Sequence, residues 1–214
     1  MRVGDSLVNQ KDTAIAPLSD TKAKTALKEE QERSTKNGKQ YFVDATEIGI
    51  ERPQDFDKQK DRYSGKHKKH TIKNTVITNE YSQILFLGNT YAGSVHDKKM
   101  LEQDEVLFPP NSFLWKDLGY VGYLPTNINC FEPHKKPKNK ALSKEQKEEN
   151  KLISSIRIVV EHAISGLKRC RILKDKMRTK IDKTKDTIIE ICAGLHNLRL
   201  KFRKKYKCNE LFNS

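Results

Sequence analysis

The sequence predicts a mixed α/β domain, a sheet opened by three strands that meander and then joined by a fourth, with helices flanking it. Two observations lead there. Short runs of β-formers, YFVDATEIGI, HTIKNTVITNE, QILFLGNTY and SFLWKDLGY, occupy the middle of the chain and are bounded by polar, Gly- or Pro-containing segments. The last third instead carries apolar residues at helical spacing, from Ser143 onward.

Residues 1–40 are polar and nearly free of aromatics, which predicts a frayed helix or a disordered arm. The domain is expected over 41–205, with a short tail over 206–214. The first strand begins at Tyr41. Residues 52–69, charged and containing a glycine, read as a loop. Two strands follow, joined by a tight turn near Glu80–Ser82. Ser94 is placed to cap a helix starting near His96. The strand SFLWK ends abruptly at Asp117, with Gly119 just beyond. Residues 125–142 are rich in proline and lysine and read as loop. Ser143 followed by Gln146 is a capping-box pattern that opens a long helix reaching towards Cys170. A final amphipathic helix is predicted from about Asp186 to Arg203, with Ile188, Ile191, Leu195, Leu198 and Phe202 as its apolar face. No internal repeat is visible.

Lys and Arg number 42 against 28 Asp and Glu, a formal net charge of +14. A solvated surface does not require that imbalance, whereas a polyanion explains it through counterion release. Nucleic acid is the partner this suggests. The basic residues form no amphipathic stripe of the kind that binds anionic membranes. Cys130, Cys170, Cys192 and Cys208 include no C-x-x-C pair, which argues against structural zinc. The opening MRVGDSLVNQ is no signal peptide, so a soluble, intracellular protein is expected.

Three carboxylates stand out. Asp44 lies inside an otherwise apolar strand, where an unpartnered charge is costly. It belongs at a strand edge facing solvent, in a cleft, or on a ligand. Asp117 directly ends an apolar strand, the place where ligands gather in open α/β sheets. It also fits a turn-forming aspartate before glycine. Glu161 shares a strip of roughly 80° with Ser154, Arg157, Ser165 and Lys168 on the long helix. Leu152, Ile156, Val159, Val160, Ala163, Ile164 and Leu167 fill the broad side, and Ile158 flanks the strip. The helix therefore reads as buried on most sides. The strip is either a solvated face, with Arg157 and Glu161 as an i,i+4 pair, or it lines a cleft. Asp97 is held in reserve, since an acid at a helix start is stabilised there by the helix dipole.

Together these residues resemble a family. Arg157, Glu161 and Lys168 are spaced R-x3-E-x6-K, which is similar to the C-terminal signature of DDE transposases of the insertion-sequence-five group and their Harbinger-like relatives. The family's usual tyrosine three residues before the arginine is Ser154 here. VDATE (43–47), GSVHDKKMLE (93–102), WKDLGYVGY (115–123), EHAISGLKRCRIL (161–173) and AGLHNLRLKFR (193–203) resemble further family blocks in the family's order. The resemblance implies a ribonuclease-H-like fold whose catalytic acids are Asp44, Asp117 and Glu161, and it favours Asp117 over Asp97. It implies metal-dependent DNA strand cleavage and strand transfer. Oxygen ligands suit Mg²⁺ or Mn²⁺, two ions being expected. Lys168 would contact a scissile or flanking phosphate and Arg157 would orient a carboxylate or phosphate. Lys66, Lys68 and Lys69 would track DNA backbone. A homo-oligomer on DNA and a bacterial cytoplasmic, nucleoid-associated location are implied as well. Only 43 residues precede Asp44, and they lack the pattern of a helix-turn-helix core. Recognition of element ends is therefore expected from a separate helix-turn-helix protein or reading frame. The rival expectation is a truncated, inactive transposase-derived DNA-binding protein.

Overall fold

A computed structural model describes residues 38–138 and 141–203. Most of the predicted arm, residues 1–37, and the tail lie outside these. Strand β1 (Gln40–Gly49) is the centre of the sheet. It pairs antiparallel with β3 (Lys69–Thr78) from Phe42↔Thr78 to Gly49↔Thr71. On its other edge it pairs in parallel with β6 (Phe113–Trp115), from Gln40↔Phe113 to Phe42↔Trp115. Strand β7 (Asn129–Phe131) extends the sheet parallel to β6. Three short strands share the outer edge of β3: β2 (Tyr63–Ser64), β5 (Tyr91–Ala92) and β4 (Ile84–Leu87).

The period of two along β1 sends its side chains to two cores. Tyr41 and Val43 join Ile77, Leu114, Tyr120 and Leu101 on one face. Leu101 belongs to helix α2 (Asp97–Gln103). Phe42 and Ile48 face the other way. Phe42 packs on Val159 and Val160 of helix α3 (Lys144–Leu167). Ile48 packs with Ile72, Val76, Ala163 and Leu167, and with Ile189, Cys192 and Ala193 of helix α5 (Asp182–Phe202). Tyr41, Phe42, Leu101 and Leu114 are fully buried, each contributing about 1.5–3 kcal/mol of transfer free energy.

The predicted mixed sheet and flanking helices are present, and several details differ. The 52–69 segment is not all loop. It contains helix α1 (Phe56–Asp61), capped by Asp55, whose side chain accepts from the Lys58 N–H. That helix buries no residue, so it has no apolar periodicity to read. Strand β7 also lies inside a predicted loop. It forms because β6 offers an open edge, and Phe131 stacks on Trp115 with centroids 4.4 Å apart. Helix α2 is capped at His96 and not by Ser94, whose backbone N–H instead donates to the Asp61 carbonyl. The Ser143–Gln146 capping box forms in both directions. Helix α3 stops at Leu167, and a separate turn of helix, α4 (Arg171–Lys174), follows. Helix α5 begins at Asp182 instead of Asp186.

Two burial expectations are overturned. Helix α3 is covered on one side only, because Leu152 and Ile158 are exposed. The apolar face predicted for α5 reaches the core only through Ile188 and otherwise turns outward: Ile191 is 50% exposed and Phe202 82%. The inner face consists of Lys185, Ile189, Cys192, Ala193 and His196. His196 and Asn197 pin it to the β3–β4 turn, His196 Nε2 to the Ser82 carbonyl at 2.9 Å and Asn197 to both backbone groups of Ile84. No helix among the described residues is long and apolar enough to cross a membrane.

Candidate active site

Asp44 lies two residues beyond Phe42 on β1, and Asp117 two beyond Trp115, the residue that pairs with Phe42. Strand β6 ends at Trp115, so from there on β1 has no neighbour on that edge. The two aspartates thus stand side by side where the sheet opens, on the face covered by α3. The backbone at Asp117 is extended and leads into a single 3-10 turn (Leu118–Tyr120).

That turn is held from within by Lys116, which is fully buried. Its ammonium donates to the Tyr123 carbonyl at 2.5 Å and the Tyr120 carbonyl at 3.4 Å, and pairs with Glu132 at 2.8 Å. A buried lysine is tolerable only with such a set of partners. The sequence offered no periodic signal for it, because a lysine between a strand and a turn reads as exposed.

Arg157 reaches from α3 into the opening. Its guanidinium lies 3.3 Å from Asp117 Oδ1 and 3.8 Å from Asp44 Oδ2, and the residue is only 6% exposed. Asp44 also accepts the Ala45 N–H at 2.8 Å. Burial still pushes the Asp44 carboxyl up to about 6, with Asp117 and Asp97 adding to the rise, against the pull of Arg157 and the Ala45 N–H. Two neighbouring acids share one cation and remain short of positive charge.

Glu161 follows Arg157 by one turn and is exposed. It lines a cleft of about 810 Å³ together with Asp44, Ala45, Ser165 and Lys168. The predicted strip therefore faces a cleft along Glu161, Ser165 and Lys168, while Arg157 turns inward to the aspartates. Lys168 is half-buried at the end of α3, where burial lowers its pKa and Glu47 and Asp44 oppose the fall. Lys69 is close enough to Lys168 to lower it further, so the start of β3 borders this side. Lys66 and Lys68 stand exposed in the β2–β3 turn. Arg169, Arg171 and Lys174 line the far end of the cleft. No expectation from the sequence covers these three, although the basic run KRCRILK directly after the helix marks them.

Asp97 is the first residue of α2, as its helix-start reading requires. Its carboxylate pairs with Lys73 at 3.1 Å. A side chain at Gly119 would come within 3.0 Å of it, so Gly119 lets the Asp117 turn approach α2. Asp97 is thus near the other acids but paired with Lys73, and the cleft lining includes Asp44 and Glu161 but neither Asp97 nor Asp117.

Among the described residues, no three His, Cys, Asp or Glu side chains are gathered tightly enough to hold a metal as they stand. The donor chemistry nevertheless fits a hard divalent cation, since Asp44, Asp117 and Glu161 offer only carboxylate oxygens. The guanidinium between the two aspartates marks where positive charge is required.

A family model described as DDE superfamily endonuclease matches residues 43–197, from the strand of Asp44 to helix α5. The chain is 36% identical over 162 residues to a probable transposase for insertion sequence element IS702 from Microchaete diplosiphon. That alignment takes in 75% of this chain and 57% of the relative, so the chain spans little more than half of the relative's length. No solved structure gives a significant match. The match from β1 to α5 shows that this chain belongs to the DDE superfamily endonucleases.

Proposed function

We propose that this chain is the catalytic domain of a DNA transposase, with Asp44, Asp117 and Glu161 as its three acids and a ribonuclease-H-like sheet as its frame. The observation that carries this reading is the pair of aspartates at the opening between β1 and β6, bridged by Arg157, with Asp44 and the α3 residue Glu161 lining one cleft. The sheet supports it, with three antiparallel strands followed by two parallel ones on the other side of β1.

Asp44, Asp117 and Glu161 would hold Mg²⁺ or Mn²⁺, which supplies charge neutralisation at phosphorus and activation of the attacking oxygen. Hydrolysis breaks the phosphorus–O3′ bond, water giving its hydroxyl to phosphorus and the strand leaving with a 3′-hydroxyl. That hydroxyl then attacks a phosphate of target DNA in the same cleft, forming a new phosphorus–O3′ bond and displacing the target strand's own O3′, which leaves as a hydroxyl. Lys168 binds a non-bridging phosphate oxygen beside Glu161. Arg157 keeps the two aspartates at their spacing and limits their mutual repulsion before the site is filled. Lys66, Lys68 and Lys69, on the hairpin bordering Lys168, follow the DNA backbone, each contact adding to the salt dependence of binding. Recognition of element ends is the work of a helix-turn-helix, and the working particle is an oligomer on DNA.

The test is cleavage and strand transfer on element-end DNA with Mg²⁺ or Mn²⁺, the helix-turn-helix supplied. Asp117→Asn lowers the cleavage rate about 10³-fold or more, and Asp97→Asn stays within about tenfold of the parent. The reverse pattern, with both variants folded, would transfer the second-acid role to Asp97. A chain that neither binds divalent cations nor nicks DNA sinks the proposal.

A further inference from the structure

Helix α5 carries a second apolar stripe whose first residue, Ile188, packs on the core and whose Ile191, Leu195 and Phe202 are exposed among the described residues. Ile188, Ile191, Leu195, Leu198 and Phe202 recur at intervals of three and four, the spacing of a helix-pairing seam. Ile191, Leu195 and Phe202 are among the exposed large hydrophobics of the molecule, and Ile188 and Leu198 are half-buried. Gly194 lies beside the stripe in the middle of the helix. A glycine there costs about 1 kcal/mol relative to alanine. Packing among the described residues does not explain it, because a Cβ at Gly194 would meet none of their atoms within 4 Å. The contrast with Gly166 on α3 is direct, since a side chain at Gly166 would collide with the His196 ring.

We propose that this face binds the same face of a second copy of the chain, the two α5 helices crossing antiparallel about a two-fold axis at Leu195. The stripe is self-complementary about that point. An antiparallel crossing sets Ile188 against Phe202 of the other copy and Ile191 against Leu198, with Leu195 near its own mate. The same crossing brings Glu190, on one flank of the stripe, to Lys201 on the same flank of the second copy. Lys201 has a partner within its own chain and adds this one at the rim. A parallel crossing would set the basic last turn, with Arg199 and Lys201, against its own copy and is disfavoured. Gly194 gives the second helix room to approach. A two-fold axis makes the contact close on itself, so the product is a dimer and not a chain of molecules. This inference stands on α5 alone, and its failure would leave the catalytic reading intact.

The experiment is sedimentation equilibrium of the full chain from about 1 to 100 μM, the range suited to a contact of one helix pair. A reversible dimer is expected. Leu195→Glu, at an exposed position, should raise the dimer dissociation constant at least about tenfold while leaving the thermal midpoint of the monomer unchanged. Glu190→Lys should weaken the dimer, and the double variant Glu190→Lys with Lys201→Glu should recover it. Leu195→Cys should cross-link to itself under mild oxidation. A chain monomeric at every concentration overturns the proposal. So does a dimer indifferent to Leu195→Glu, or a double variant that recovers nothing. Protection of the stripe in a monomer by residues 1–37 or 204–214, read by hydrogen exchange with and without them, would assign the face to the chain's own ends instead.

Discussion

Helices α3 and α5 are neighbours on one face of the sheet, yet they use their amphipathic character in opposite ways. Helix α3 turns its apolar side inward, with Val159, Val160, Ala163 and Leu167 on the sheet, and presents its polar strip to the cleft. Helix α5 turns inward a side made of Ile189, Cys192, Ala193 and His196, and leaves larger aliphatic residues outside. The difference is one of distance. Where α5 meets α3 the fit is close enough that Gly166 lies against the ring of His196. Small residues and a histidine suit that contact better than leucines. Hydrophobicity alone does not name the inner face of a helix when both faces carry apolar residues.

The comparison is tested most directly at Arg157, the inward member of the α3 strip. Arg157→Met leaves Asp44 and Asp117 without their shared cation. We expect a loss of about 2 kcal/mol at pH 8 in metal-free buffer, below the full cost of breaking a buried pair because Asp117 is half exposed. The loss should shrink at pH 5, where Asp44 is largely protonated. Denaturant unfolding at both pH values checks it, and an equal loss at both would show that the cation is not what Arg157 contributes.

Asp44 itself sharpens the point. Its carboxyl is raised from 3.8 to about 6 in the folded chain, so the folded state holds a proton that the unfolded state releases. Its contribution to stability is therefore largest below about pH 4, falls as pH rises, and is lost above about 6. The total is at most about 2–3 kcal/mol. Asp44→Asn should flatten stability across this window and raise the thermal midpoint at pH 8. An unchanged slope would mean that the site is wetter than its burial indicates.

Two glycines give the smaller effects and the cleanest contrast. Gly166→Ala forces His196 off its hydrogen bond to Ser82 and should cost about 1–3 kcal/mol, as overpacking does. Gly194→Ala, whose Cβ would meet nothing within 4 Å among the described residues, should stabilise the monomer by about 0.5–1 kcal/mol. Thermal melts of the two variants at low concentration test both. Equal signs would remove the argument that α5 is tight on one face and open on the other.

The long elements were legible in the sequence, because each carries its own signal. The apolar run around Asp44, the Ser143–Gln146 box and the strip from Arg157 to Lys168 are local patterns, and each appears in the structure. Elements stabilised by a neighbour were not legible. Strand β7 exists because β6 leaves an edge for it, and α1 buries nothing that could set a period. At the candidate site, the residue types and their order along the chain were readable, since they depend on strand ends and helix spacing. Only the tertiary structure placed Arg157 between two aspartates, buried Lys116 beneath the Asp117 turn and paired Asp97 with Lys73. Those arrangements depend on parallel register between strands more than sixty residues apart and on how closely a helix meets the sheet. No local pattern encodes either. The side of α5 that faces the core was likewise decided only by packing, because the sequence supplies two apolar faces and a single sheet can cover one.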